Sequence, residues 1–340
     1  MTPVTSGMPP LRVGIVGCGT VGRKRAAALG QDELVASFDV DAGAASSLAA
    51  EFGGTASATL GELLYAGADV VVVAVTHDRL AETACKALAA GAHVLVEKPA
   101  GIGSVDVARV QEAAFAAGRM VKVGFNHRFH PGIERAIADA TSGRYGPILH
   151  VRARYGHGGR LGYEREWRTQ PAVSGGGELV DQGMHLLDLS HAMLGPLPVQ
   201  ATLLRTAFWE TEVEDNAVIV LGERDAGPWA MFHVSWTEWK NLFSLEIFCR
   251  TAKLQVDGLA GSYGPQRLTV YEMRPELGPP DTEATEYPAA DDSWGREWRS
   301  FAEAIRATDG RSLAGDLESA AYGWRCIEDA YDRARRGETG

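Results

Sequence analysis

Cysteine is scarce in this chain: the four residues Cys18, Cys85, Cys249 and Cys326 stand far apart and form no Cys-x-x-Cys pair. That excludes a disulfide framework and a zinc ribbon, and makes reduced thiols and a cytoplasmic location the expectation. No apolar run approaches membrane-spanning length, and Met1 to Pro10 lacks the basic-then-apolar pattern of a secretory leader, so residues 1–10 read as a flexible tail. Basic residues are the minority, 33 Lys and Arg against 44 Asp and Glu, and the net charge is −11. With the acidic residues spread along the chain, there is no electrostatic footprint for nucleic acid or an anionic membrane. Small molecules are the expected partners. Internal repeats and low-complexity tracts are also lacking. What remains is ordinary globular composition, 45% apolar and 23% charged over 340 residues, enough for two domains with separate cores.

From Leu11 to about Gly124, short apolar runs alternate with alanine-rich amphipathic stretches, the rhythm of a doubly wound parallel sheet. Strands are expected over Arg12–Val16, Leu34–Phe38, Val70–Val75, His93–Val96 and Met120–Val123, and helices over Val21–Leu29, Gly43–Glu51, Leu80–Ala90 and Val105–Ala117. Gly30, Gly91 and Gly118 stand where helices should stop. After Pro131 the pattern changes. One helix to about Ala140 precedes strand-like segments at Ile148–Tyr155, Ala201–Thr206, Ala217–Leu221, Ala230–Ser235, Leu242–Cys249 and Ala252–Val256, which predict a large, open, mostly antiparallel sheet. A helix is expected over Gly176–Leu194, a loop over Gly278–Ser293, and two closing helices over Trp294–Ala307 and Asp316–Ala334 that pack back. The expected division is a nucleotide-binding domain over 11–126 and an α+β domain over 127–340 with helices on one sheet face.

Gly17-Cys18-Gly19-Thr20-Val21-Gly22 follows the first strand and opens a helix, the context a Gly-x-Gly-x-x-Gly motif needs. Gly17 suits the tight turn, Gly19 close approach to a pyrophosphate and Gly22 close packing of helix on sheet, with Thr20 and Val21 at the helix start aimed at the phosphates. About 20 residues on, the next strand ends in Asp39, placed to accept hydrogen bonds from the adenosine ribose. Asp39 predicts NAD over NADP, since a carboxylate repels a 2′-phosphate; NADP stays open, because Arg23, Lys24 or Arg25 on the first helical turns either reach a phosphate or lie solvated. Val75, the last residue of the third strand, and Thr76 and His77 just past it are expected to line the cofactor site. Lys98, in Glu97-Lys98-Pro99, leaves the carboxyl end of a buried strand, where a nicotinamide ring would lie.

In the second domain, Asp181 and His185 stand one helical turn apart on one face, with Asp188 a further turn along. A carboxylate beside an imidazole makes acid-base chemistry available near neutral pH, and Gly183 between them removes bulk. Tyr155, His157, Tyr163 and Trp167 flank a glycine-rich stretch from Gly156 to Gly162, a source of specificity. His127 and His130 form a His-x-x-His without an evident third ligand, so no metal is expected. Trp294 and Trp298 read as core.

With its Glu97-Lys98-Pro99, Gly175–Gly177 and Asp181…His185…Asp188, the chain resembles, essentially end to end, the Gfo/Idh/MocA family of glucose-fructose oxidoreductases, inositol dehydrogenases and rhizopine-catabolism proteins. The resemblance implies a catalytic Lys98, Asp181 and His185, a Glu97 touching the nicotinamide ribose, a cis bond before Pro99, and Asn126, Arg128, Trp167 and Arg168 near the substrate. It departs at Arg25, where family members commonly carry histidine. The expected function is an NAD(P)-dependent dehydrogenase of a ring polyol or sugar, with His185 or Lys98 as proton acceptor. A ketosugar reductase is the runner-up; family members devoted to that reduction often carry tyrosine in place of the histidine. A catalytically silent nucleotide sensor is the alternative from another class. An uncovered sheet face carrying Val218, Val220, Phe232 and Val234 predicts a homodimer or homotetramer.

Overall fold

The run Val70-Val71-Val72-Val73 buries every side chain, as a central parallel strand must when both faces are covered. The computed structural model of the protein describes residues 9–276, 278–288, 290–307 and 316–337. Residues 1–8 of the expected tail lie outside the described residues. The chain forms two bodies, one comprising the chain up to Gly101 with Val105–Gly124 and Trp294–Leu317, the other Ile102–Ser104, Phe125–Ser293 and the chain from Glu318.

In the first body β1 (Arg12–Val16), α1 (Thr20–Ala27), β2 (Glu33–Phe38), α2 (Ala42–Phe52), β3 (Thr55–Ala56), α3 (Leu60–Tyr65), β4 (Val70–Val73), α4 (His77–Ala89), β5 (His93–Glu97), α5 (Ser104–Ala117) and β6 (Val121–Gly124) alternate. All pairings are parallel, in the order β3-β2-β1-β4-β5-β6. The winding reverses at β1 and β4, whose carboxyl ends are therefore the crevice where such sheets bind ligands. The short β3 and α3 carry no strong periodicity and escape the sequence reading. α3 is fixed by its cap, where Thr59 Oγ1 accepts from the Glu62 amide at 3.1 Å.

In the second body α6 (Pro131–Thr141) precedes β7 (Ile148–Gly156), α7 (Pro171–Ser174), a π-helical turn over Leu179–Gly183 and α8 (Met184–Leu194). Then follow β8 (Val199–Arg205), β9 (Asn216–Gly222), β10 (Trp229–Ser235), β11 (Leu242–Cys249), β12 (Ala252–Asp257), β13 (Arg267–Glu272) and β14 (Asp281–Glu286). The sheet order is β14-β13-β12-β11-β7-β10-β9-β8, antiparallel except for β7 with β10. α6, the π turn and α8 pack on one face.

Three expectations need correction. The stretch Gly278–Ser293 is not all loop, because β14 pairs with β13 over Asp281–Glu286. Its six residues are all exposed, so the strand rests on ladder hydrogen bonds and leaves no apolar alternation to read; its charges suit a sheet edge. The helix over Gly176–Leu194 is interrupted by the π turn. Finally, Phe232 and Val234 do not share a face with Val218 and Val220. Phe232 pairs with Ile219 and Val234 with Ala217, all buried, whereas the half-buried Val218 and Val220 pair with His233 and Met231 on the opposite face.

The two closing helices are α9 (Ser293–Ala307) and α10 (Leu317–Arg336). From Trp294 onward α9 lies with the first body, although the sequence division places it in 127–340. Trp298 and Phe301 enter the core beside Val13, Ile15, Val72 and Leu95, and Trp298 Nε1 donates to Asp32 Oδ2 at 2.9 Å. Asp32 also accepts from the Leu11 amide at 2.8 Å and pairs with Arg306. Trp298 is thus core, as expected. Among the described residues no helix is long and apolar enough to cross a membrane.

Candidate functional site

The glycine loop follows β1 as its sequence demands. Gly17 has φ +93°, and a Cβ there would lie 2.2 Å from the Ala74 carbonyl at the end of β4; one on Gly22 would lie 1.9 Å from the Gly17 carbonyl. No side chain fits at either position. A Cβ on Gly19, by contrast, would meet nothing within 4 Å, and the exposed Gly19 caps α1 without any side-chain hydrogen bond to its amides. Thr20 and Val21 therefore open a helix with no side-chain cap and with room at Gly19 for close approach, the geometry a pyrophosphate requires. The loop and the helix start fit a dinucleotide.

Asp39 stands at the end of β2, half-buried. Its Oδ2 accepts from the Cys18 amide at 2.6 Å and its Oδ1 from the Asp41 amide at 2.9 Å, so it clamps the glycine loop. Each oxygen retains a lone pair for a ribose hydroxyl. Val75 and Thr76 follow β4, Thr76 as N-cap of α4 with its Oγ1 2.6 Å from Asp78 Oδ1, and His77 is buried in the first turn.

The three cations of α1 part company. Arg23 pairs with Glu51 and lies 3.4 Å from Ser47 Oγ; Lys24 Nζ sits 5.1 Å above the Trp294 ring. Arg25 departs from the sequence reading, since it is not solvated but buried and committed to two carboxylates. It is 1% exposed, donates from Nε to Glu97 Oε1 at 2.6 Å and from Nη1 to Glu297 Oε2 at 2.7 Å, and stacks 4.4 Å from Trp294. Burial pushes the Glu97 carboxyl above its ordinary range while the Arg25 charge draws it back. Beyond Glu97 the chain turns through a cis Lys98–Pro99 bond, as the resemblance implies, and leaves Lys98 half-buried at the strand end.

In the second body His185 starts α8 against a box of rings. His127 stacks on it with centroids 3.8 Å apart at 25°, and Phe125 and Tyr155 meet it edge-on at 6.2 and 6.3 Å. Asp181, on the π turn, has Oδ2 3.6 Å from Arg168 Nε, and the Arg168 guanidinium lies over Trp167 at 4.5 Å. The structure thus gathers three stretches separated along the sequence: Tyr155, the pair Trp167 and Arg168, and Asp181 with His185. Burial pushes the Tyr155 hydroxyl well up and that of Tyr263 to about 12, so both remain donors across neutral pH. Gln182 Nε2 lies 3.3 Å from Tyr263 Oη. The sequence reading missed Tyr263 and the stacking role of His127; a polar aromatic inside Gly261-Ser262-Tyr263-Gly264 was the only available signal for the former.

Asn126 and Arg128 are tied inward. Asn126 Nδ2 donates to Ser293 Oγ at 2.9 Å, and Arg128 makes a fork onto Asp188 with both bonds at 2.7 Å, plus 3.0 Å to Ser319 Oγ. Asp188, one turn beyond His185, thereby anchors α8 through Arg128. His157 lies in a separate aromatic cluster, its ring edge-on to Tyr163 at 5.7 Å and its Nδ1 accepting from the Gly159 amide at 3.0 Å.

The triple glycine ahead of the π turn is a packing device. A Cβ on Gly176 would lie 2.0 Å from Tyr331 Oη and one on Gly177 2.1 Å from the Glu214 carbonyl. Glu214 accepts from the Leu179 amide at 3.0 Å and from Tyr331 Oη at 3.0 Å, while burial raises its carboxyl to about 7. A carboxyl whose folded pKa exceeds its unfolded value favours folding below the unfolded value, and that contribution is lost as pH rises from about 4.5 to 7. Glu214→Gln is therefore expected to flatten this decline, leaving the variant with a higher Tm than the parent at pH 8 but not at pH 5. Melting curves at the two pH values check it; an equal Tm shift at both contradicts the assignment.

Residues 11–125 match the family profile described as "Oxidoreductase family, NAD-binding Rossmann fold", and residues 134–255 match the "GFO/IDH/MocA C-terminal domain". The chain is 30% identical over 240 residues to 1,5-anhydro-D-fructose reductase from Ensifer adhaerens, covering 66% of this chain and 69% of the relative. It is 30% identical over 221 residues to inositol 2-dehydrogenase 2 from Saccharopolyspora erythraea, covering 62% of each. The crystal structure of GenD2 from gentamicin A biosynthesis in complex with NAD superposes with TM-score 0.83 at 25% identity, over 99% of this chain and 98% of that one. Three of the curated relatives are spanned over only 54 to 62% of their length. With a relative matched over more than two thirds of its length and both halves of the chain fitting the family's two profiles, the chain belongs to the Gfo/Idh/MocA oxidoreductase family.

Proposed function

We propose that the protein is an NAD-dependent dehydrogenase that moves a hydride between a secondary alcohol or ketone of a ring polyol or sugar and the nicotinamide. The observation that carries this reading is the imidazole of His185 boxed by Phe125, His127 and Tyr155, with Asp181 on the preceding turn, in a chain whose other body presents Lys98 at a strand end. NAD, when bound, supplies the hydride acceptor. His185 takes the hydroxyl proton, Lys98 as ammonium stabilises the developing alkoxide, and Asp181 balances charge and fixes orientation. Trp167 offers a face to a sugar ring, while the Tyr155 and Tyr263 hydroxyls suit ring oxygens. Arg168 is committed to Asp181 and Glu166, which leaves little cationic surface for an obligatory large anion.

The test follows absorbance at the reduced-nicotinamide band with both cofactors across inositols, free sugars, nucleotide sugars and linear 2-hydroxy acids. Turnover of a ring polyol or sugar is expected. Turnover confined to a linear acid contradicts the substrate class, and none with any compound favours a silent sensor, against which the joint presence of Lys98, Asp181 and His185 argues. Similarity to a 1,5-anhydro-D-fructose reductase supports the reverse reaction, ketosugar reduction at the same site.

Asp39 sets the cofactor. NAD is expected to be preferred, and Asp39→Ser to shrink the NAD to NADP ratio of kcat/KM by about 10-fold or more, the worth of a charged hydrogen bond. A parent preference for NADP contradicts this. A cytosolic location fits the four free thiols. The sheet face bearing Val218, Val220 and Met231 suits a second copy of the chain, so a homodimer or a tetramer of dimers is expected; light scattering that gives a monomer at micromolar concentration overturns it.

A further inference from the structure

Arg25 is a fully buried cation on the helix of the glycine loop, and the structure surrounds it with charge. Four charges are buried together in the nucleotide-binding body. Arg25 bridges Glu97 and Glu297, and Lys122 Nζ lies 3.2 Å from Glu297 Oε1 and 3.0 Å from the Val123 carbonyl. The side chains of Arg25, Lys122 and Glu297 are at most 1% exposed, whereas that of Glu97 is 11% exposed and forms the cluster's outer edge. Room for the pair comes from Gly124, where a Cβ would lie 2.6 Å from Arg25 Nη2 and 2.8 Å from Glu97 Oε2. Four elements meet here: α1, β5 with Glu97 as its last residue, β6 and α9.

Two cations against two carboxylates make the cluster neutral, which is the condition for burying ions without a large penalty. The fork of a guanidinium can hold two carboxylates in fixed directions, which an imidazole or an ammonium cannot do in the same way. With Oε1 taken by Arg25, Glu97 Oε2 stands on the Gly124 side of the cluster, 2.8 Å from where a Cβ on Gly124 would lie.

We propose that Arg25, locked by Glu297, is the positioning residue that orients the Glu97 carboxylate to accept hydrogen bonds from the nicotinamide ribose. This rests on the reading of the first body as a dinucleotide site, and it assigns α9, added late in the chain, a part in cofactor recognition. The charged groups acting on Glu97 are Arg25, Glu297 and Lys98, while Lys122 faces Glu297. Burial disfavours its charged form and Arg25 opposes that, so loss of Arg25 leaves Glu97 protonating at higher pH.

The experiment is NAD titration of the full-length protein by calorimetry from pH 6 to 8.5, with thermal melts alongside. Arg25→Met combined with Glu297→Gln removes one charge of each sign, so the remaining pair stays balanced. NAD affinity is expected to drop about 10- to 100-fold at pH 6, the worth of a charge-assisted hydrogen bond, and to recover as pH rises. Glu297→Gln alone keeps the Arg25–Glu97 bond but loosens the lock, and is expected to weaken NAD by a smaller factor, about three- to tenfold; parental affinity in this variant removes α9 from cofactor recognition. Parental affinity and pH dependence in the double variant overturn the proposal. Should that variant fail to melt cooperatively, Arg25→Lys decides: it keeps a charge but loses the fork, and is expected to weaken NAD by about tenfold, whereas unchanged affinity overturns the proposal. Failure of the parent protein itself to bind NAD counts against the cofactor reading instead.

Discussion

Replacement of His185 by alanine is expected to slow the chemical step about 10²–10⁴-fold, the usual range for a positioned general acid-base. The ring sits 3.8 Å from His127 and edge-on to Phe125 and Tyr155, so the box fixes its plane and excludes most water. Alanine removes the proton acceptor and leaves these neighbours in place. His185 is 6% exposed, and the cavity left behind costs stability as well, so the variant needs a folded control by thermal melt. The distinguishing measurement is the pH profile: the limb governed by the base should vanish in kcat/KM while NAD affinity is kept. A variant with the parental rate and an unaltered profile would remove His185 from the mechanism.

The parts of the molecule with strong periodicity were legible in advance. Gly17 to Gly22, the buried run Val70–Val73 and the glycine stops of the helices place a Rossmann sheet correctly because each signal is local and arises from backbone sterics. Asp181 and His185 are also local, being on one turn, although the π turn that carries Asp181 has no sequence signature. What escaped was set by distant partners. Arg25 reads as a surface cation until Glu297, far along the chain, is folded against it. The partner of Arg128 was likewise out of reach, since Asp188, which takes both ends of its fork, stands 60 residues on. The face assignment of Phe232 depended on register, and a one-residue offset exchanges the two faces of a strand. β14 carries Asp-Thr-Glu-Ala-Thr-Glu and shows no apolar face at all, so only its partner β13 reveals it as a strand.

Lys98→Met is expected to lower kcat and kcat/KM together by about 10²–10³-fold, the cost of losing one preorganised donor to a developing oxyanion. Lys98 follows β5 directly, and the Ala100 amide closes a turn onto the Glu97 carbonyl at 3.0 Å, so the lysine stem starts from a fixed point. The cis bond to Pro99 and the positive φ of 67° at Ala100 belong to the same turn. Methionine keeps the length and apolar character of the stem but carries no charge and no donor. Equal loss in the two parameters identifies an interaction made only in the transition state. NAD affinity, measured without substrate, should remain within about threefold of the parent, because the substitution leaves Asp39 and the glycine loop, proposed to hold the adenosine and pyrophosphate, untouched. Lys98→Arg restores the charge on a longer, planar head and should recover part of the rate. If NAD affinity collapses in parallel with turnover, Lys98 serves cofactor binding and the alkoxide needs another donor.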